Sequence, residues 1–342
     1  MTDDSQLDDE VRLRILQDDQ RRRQLRLASP WRAWLQLTRL PNVFTSMADV
    51  MMGFLFAQPV RIVWGDRPWS PTAWDFVTLI TLLVASGLLY AGGVVLNDVL
   101  DLDIDRRERP GRPLPSGRIS VDAARRWGYR FLIGGVALAT ATVFSVGHLR
   151  PGVVAALLAI AILAYDAWLK RTPLGPVAMG ACRMLNVMLG MNAVDASLGV
   201  GHWLVAGGLG VYVAGVTWFA RRENEQSERL HLSLATAVMT VGLAMIASLP
   251  RWSDRVIAGI RQQPQWWYLL IAALGMVVLR RCVAAIIEPS PRGVRLAVTQ
   301  CILSIVMLDA VACYSVRGMY WASVILLFWA PAILLGRWIE AT

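Results

Sequence analysis

Long apolar blocks separated by short polar stretches dominate this chain. Phe76 to Leu96, Trp203 to Ala220 and Leu230 to Leu249 run without a single Asp, Glu, Lys or Arg. Blocks of about 18 or more such residues are long enough to cross a bilayer as helices. In lipid the backbone must satisfy its own polar groups, which selects helices for spans of this kind. The pattern predicts ten spans, near 42–58, 75–97, 121–147, 151–168, 174–195, 202–221, 229–249, 266–287, 292–315 and 319–337. The expected fold is therefore all-α, a polytopic transmembrane bundle of about nine to ten spans. Residues 1–36 read as a polar tail and 37–342 as one membrane domain. The longest polar loop runs from Asp98 to Ser120.

Composition agrees with the pattern. Of 342 residues 56% are hydrophobic, against about 45–50% in soluble chains. The formal net charge of +9 raises the question of nucleic acid, but no basic groove with interleaved aromatics accompanies it. Loop bias explains it better. With the N-terminus inside and strict alternation, 26 Lys and Arg residues fall on the inner side or its flanks and 7 outside, with Arg183 within a span. This predicts an integral protein of the cell (inner) membrane with a cytoplasmic N-terminus. The same assignment puts the loops after the second, fourth and sixth spans on the cytoplasmic face. Cys182, Cys282, Cys301 and Cys313 lie in apolar segments without CxxC spacing, so they read as core residues. The charged segment from Met1 to Ser29 lacks the apolar centre of a cleavable leader and reads as a surface tail.

The second span ends in NDVLDLDIDRRERPGRPLPSG, Asn97 to Gly117. At about 100° per residue, Asp98, Asp101 and Asp105 fall within about 100° of Asn97 on one helix face, whereas Asp103 points away. Three carboxylates on one arc repel unless a cation neutralises them. Mg²⁺ accepts such oxygen ligands and shares its remaining positions with phosphate and water. Arg106, Arg107, Arg109 and Arg112 follow and suit bidentate contact with phosphate oxygens. Asn97, Asp98, Asp101 and Asp105 are thus candidate metal ligands, and Arg109 and Arg112 candidate substrate ligands. A charged loop that merely caps a helix would explain the arginines but not the shared arc.

These residues resemble the first signature of the UbiA superfamily of intramembrane prenyltransferases, an Asn-Asp pair, Asp at four-residue steps, then an Arg-Pro loop. The resemblance runs from about Leu37 to about Leu249. It implies helices around a central cavity, Mg²⁺, a polyprenyl diphosphate donor, a hydrophobic or aromatic acceptor that it does not identify, and chemistry carried by Asp98 and Asp101. A second similar segment is Tyr165-Asp166-x-x-x-Lys170-Arg171-Thr172-Pro173. There the resemblance implies diphosphate contact by Lys170 and Arg171, while membrane anchoring by the same cations remains the alternative. Arg39 and Asn42, three residues apart, correspond to cavity-facing residues of the family. Asp49 lies at membrane depth, where an ionisable group is costly. It is a candidate to orient an acceptor hydroxyl or act as a base, or else a buried partner of another polar group. Arg183 and Asn186 share a face in the fifth span and either line the substrate pocket or pair internally with Asp166 or Asp195.

The family's second Asp-rich motif, after the sixth span, is absent here. Tyr212 to Glu228 reads YVAGVTWFARRENEQSE, without aspartate. Glu223 is a candidate ligand for a second ion, and Arg221 and Arg222 are candidates to neutralise diphosphate directly. This segment resembles a divergent, EboC-like branch. It keeps open a non-catalytic homologue that binds a prenyl lipid. A polytopic transporter fits less well, because the carboxylates lie at a span boundary beside an arginine loop. A phosphatidyltransferase is disfavoured by the lack of a D-G-x-x-A-R string.

Overall fold

In the computed structural model, residues 30–59, 71–194, 197–221 and 228–340 are described. Among them there are helices and connections but no strand. The first is a short helix, α1 (Pro30–Leu37). It is followed by α2 (Leu40–Ala57), α3 (Ala73–Leu100), α4 (Leu102–Glu108), α5 (Val121–Ala141), α6 (Arg150–Ala167) and α7 (Gly175–Met191). They are followed by α8 (Val200–Ala220), α9 (Arg229–Ala247), α10 (Pro264–Ile287), α11 (Pro291–Arg317), α12 (Met319–Leu326) and α13 (Trp329–Glu340), with short helical turns at Val143–Val146, Leu249–Trp252 and Ala258–Gln262 between them. Eight of these stretches are long and apolar enough to cross a membrane. The protein is an integral, multi-pass membrane protein.

Local signals set the ends. Thr72 and Asp75 form a reciprocal capping box at the start of α3, satisfying donors that a helix N-terminus leaves free. Ser120 and Ser290 cap α5 and α11 through their side chains. Two expectations are revised. The last predicted span is two helices, broken at Leu327 and Phe328. Pro30–Leu37, placed with the tail by the sequence pattern, packs onto the bundle: Ala33 and Leu37 of α1 are fully buried against Val95, Val99, Leu114, Ile119 and Ala124. Residues 1–29 lie outside the described residues.

The long helices close a ring. α2 packs on α3, α3 on α5, α5 on α6, α6 on α7, α7 on α8, α8 on α9, α9 on α10, α10 on α11, and α11 returns to α2. α2 also crosses α7 directly. That crossing is tight enough to require glycine: a Cβ on Gly190 would stand 2.1 Å from the carbonyl oxygen of Val50, and one on Gly53 2.2 Å from that of Val187. Large apolar side chains such as Ile133, Phe144, Leu230 and Met276 face outward, as lipid-facing positions do.

Candidate active site

The carboxylate segment is bent but keeps its face. Asp101 sits between α3 and α4 with φ −95° and ψ 10°. The Asp101 N–H nevertheless donates to the Asn97 carbonyl, that of Asp105 to Asp101, and that of Arg109 to Asp105. The four-residue ladder therefore runs through the bend. Asp98 and Asp105 are buried, whereas Asp103 is exposed and pairs with Arg106 at 3.3 Å, pointing away as its spacing predicts.

Each carboxylate on the shared face meets a cation from another part of the chain. Arg39 Nη2 donates to Asp98 Oδ1 at 3.1 Å. Arg112 Nη1 lies 2.7 Å from Asp105 Oδ2 and 3.7 Å from Asp98 Oδ1. Lys170 Nζ donates to Asn97 Oδ1 at 2.8 Å and Asp101 Oδ2 at 2.7 Å. Arg171 Nη2 approaches Asp101 Oδ1 at 3.6 Å. Three carboxylates thus face four cations. Burial works against the charge of Arg39, but Asp98, Tyr90 and Asp105 outweigh it and hold the guanidinium more firmly protonated than usual.

The loops are shaped for this convergence. Leu114 and Ile119 are buried beneath α1, and Arg118 donates to Gln36 Oε1 and to the Gly111 carbonyl. These contacts fold the Arg-Pro loop back so that Arg112 reaches Asp105. Arg39 adopts a left-handed conformation (φ 46°, ψ 50°) between α1 and α2, a form that costs a non-glycine residue about 1–2 kcal/mol. Lys170 rides on a single 3-10 turn after α6. Arg221 donates to the Thr172 carbonyl, which brings the end of α8 to the same mouth. Arg109 is exposed, and among the described residues its side chain joins none of these ion pairs. Arg222 and Glu223 lie outside the described residues, as does Asp195.

Behind the mouth lies a cavity of about 420 Å³. Arg39, Asn42, Tyr90, Asn97, Tyr165 and Asp166 line its polar end, and Leu158, Ile162, Val213, Val298, Ile302 and Ile305 its apolar walls. Arg183, Asn186 and Ser86 add a second polar patch. Asp49 is fully buried and not on the cavity wall. The base role expected of it gives way to the alternative, a buried partner. Arg183 Nη2 lies 2.7 Å from Asp49 Oδ1, and Asn186 Nδ2 donates to Asp49 Oδ2 at 2.9 Å. Ser86 Oγ donates to Asn186 Oδ1 at 2.8 Å. Arg183 and Asn186 therefore both line the cavity and pair internally, with Asp49 and not Asp166. Asp309, fully buried on α11, faces the same cluster. Sequence reasoning passed over Asp309 and gave Asp166 only as a possible partner. The aspartate beside Tyr165 in a motif already singled out was the available signal for Asp166.

With this geometry established, comparison with known proteins is informative. The sequence profile described as the UbiA prenyltransferase family matches residues 47–298. The chain belongs to this family. Among curated relatives, a digeranylgeranylglyceryl phosphate synthase of Sulfolobus acidocaldarius is 40% identical over 97 residues, which cover 28% of this chain and 30% of the relative. One from Methanoculleus marisnigri is 34% identical over 148 residues, 43% of this chain and 46% of the relative. The matched stretches thus span less than half the length of either relative. Among solved structures, a digeranylgeranylglyceryl phosphate synthase superposes with a TM-score of 0.58 at 19% identity, covering 89% of this chain and 99% of that one. A UbiA homologue from Archaeoglobus fulgidus bound to DMAPP and Mg²⁺ superposes with a TM-score of 0.56 at 13% identity, covering 86% and 99%. The family fold accounts for the helical ring.

Proposed function

We propose that this UbiA-family chain transfers a prenyl group from a polyprenyl diphosphate to an aromatic or alcohol acceptor within the membrane, dependent on Mg²⁺. The observation that carries this reading is the single face of oxygen donors, ringed by cations, at the mouth of an apolar-walled cavity. The donor set suits Mg²⁺: one amide and three carboxylates, all hard oxygens. Lys170 Nζ, within 2.8 Å of both Asn97 Oδ1 and Asp101 Oδ2, marks a point where those oxygens converge on a cation. Asn97, Asp98, Asp101 and Asp105 would hold the ion, with Glu223 a further candidate. When bound, Mg²⁺ neutralises charge on the diphosphate.

The chain's own residues do the rest. Arg39, Arg112, Lys170 and Arg171 are close enough to the carboxylates to exchange them for diphosphate oxygens, and Arg221 adds a cation at the same mouth, with Arg222 a further candidate from the sequence. These groups stabilise negative charge as the diphosphate leaves. Apolar walls exclude the water that would otherwise capture an allylic cation. Tyr90 and Tyr165 line the cavity and can face that cation with their rings. Arg183 and Asn186 form the deeper polar subsite, positioned by Asp49. The excess of inner arginines supports a cytoplasmic mouth.

The test is release of diphosphate from radiolabelled geranyl diphosphate by membranes carrying the protein, with a cellular lipid extract as acceptor source. Mg²⁺-dependent release with a prenylated lipid product is the expected result. Saturable donor binding without release would instead establish the prenyl-lipid-binding homologue. The complete pairing of the mouth carboxylates with cations is the observation that favours this second reading.

A further inference from the structure

Asp166 carries none of the roles assigned above. It is 4% exposed, forms part of the cavity wall, and keeps its Oδ2 buried without a hydrogen-bond partner. An unpaired buried carboxylate oxygen costs free energy. Facing a cavity, it is a ready acceptor for a hydrogen-bond donor on a ligand. The groups facing it are Lys170 on the following turn, Asp101 and Asp98 from α3, Arg39 before α2, Cys182 on α7 and its neighbour Tyr165. Lys170 gives two of its three N–H donors to Asn97 and Asp101. Asp166 therefore stands at the cavity wall beside the cations of the mouth, with an oxygen that no group of the described residues satisfies.

The other buried carboxylates are engaged or lie off the cavity, as Asp309 does. Asp98, Asp101 and Asp105 are paired with arginine or lysine, and Asp49 is sealed from the cavity. We propose that Asp166 is the general base of the reaction and that the acceptor is a hydroxyl compound. This rests on the prenyl-transfer reading. The acceptor O–H gives its proton to Asp166 Oδ2 as its oxygen bonds to the prenyl C1. The C1–O bond to diphosphate breaks, and diphosphate leaves with the bonding pair. A hydroxyl carries the proton it loses on the attacking atom itself, where a carboxylate oxygen can accept it as the bond forms, whereas ring attack loses its proton from carbon afterwards. The product is then an ether.

Membrane vesicles carrying the full chain, radiolabelled geranyl diphosphate and the cellular lipid extract provide the test. Asp166→Asn is expected to lower prenylated lipid at least roughly a hundred-fold while donor binding and melting temperature stay within about twofold and a few degrees, respectively. The acidic limb of the rate–pH profile should vanish from the residual activity, and Asp166→Glu should restore part of the rate. Wild-type turnover by Asp166→Asn, a matching loss of donor binding, or a carbon-linked product would each overturn the proposal. Failure of the wild-type protein to release any diphosphate is a different result: it removes the prenyl-transfer reading and this proposal with it.

Discussion

The mouth and the interior of this protein both gather carboxylates around arginine, yet in opposite ways. At the mouth, Asp98, Asp101 and Asp105 meet Arg39, Arg112, Lys170 and Arg171, and Arg39 and Arg171 remain substantially exposed. Partners there can be exchanged at modest cost, because water shares the solvation of the cations. In the interior, Asp49 and Asp309 are fully buried and a single arginine, Arg183, serves the cluster. Nothing there can leave without stranding a charge or a polar group. The first arrangement suits ligand exchange, and the second suits fixed geometry.

Four substitutions would break or sharpen this contrast. Arg183→Leu should be the most damaging, destabilising the protein by about 3–5 kcal/mol because it strands buried carboxylates. Thermal unfolding in detergent measures this, and an unshifted midpoint would refute the interior's role. Asp101→Ala should leave the midpoint nearly unchanged but cut Mg²⁺-dependent diphosphate release roughly a hundred-fold, in line with the several kcal/mol that a metal-held charge supplies. Lys170→Gln should be milder, weakening donor binding about tenfold, the scale of one lost charge-assisted contact. Equilibrium binding of labelled geranyl diphosphate would read it, and tighter donor binding would show that the lysine mainly competes with substrate. Arg109→Ala should change donor affinity by less than about threefold, as expected of an exposed cation outside the ion pairs of the mouth. A larger effect would mean that the loop closes over the substrate.

Much of this was legible in the chain itself. Long apolar blocks located the long helices, and helical spacing put Asp98, Asp101 and Asp105 on one face with Asp103 turned away, because these are properties of a single segment. Assigning the loops to one membrane side put Lys170 on the face of the carboxylates, but not its contact with Asn97. What periodicity cannot report is which helices touch. Asp309 joins Asp49 from 260 positions further along the chain, through the contact of α2 with α11. Arg109 and Arg112 look equivalent in sequence, yet only Arg112 reaches Asp105, because burial of Leu114 and Ile119 folds the loop. The helix Pro30–Leu37 was hidden among charges and gained its place from packing beneath the mouth.

The far end of α2 bears on how the protein is made. Arg255 donates to the carbonyls of Phe56, Ala57 and Gln58, and Arg317 donates to those of Leu55, Gln58 and Pro59. These carbonyls belong to the last turn of the first long helix, which helix geometry leaves without partners, and to the two residues that follow it. Both arginines are synthesised some 200 residues or more later, and Arg317 follows the segment that the family profile matches. During biogenesis the earliest span therefore waits for the latest ones before its end is secured. A chain released before Arg317 would lack half of this clasp, which makes the final helices a checkpoint for completed assembly.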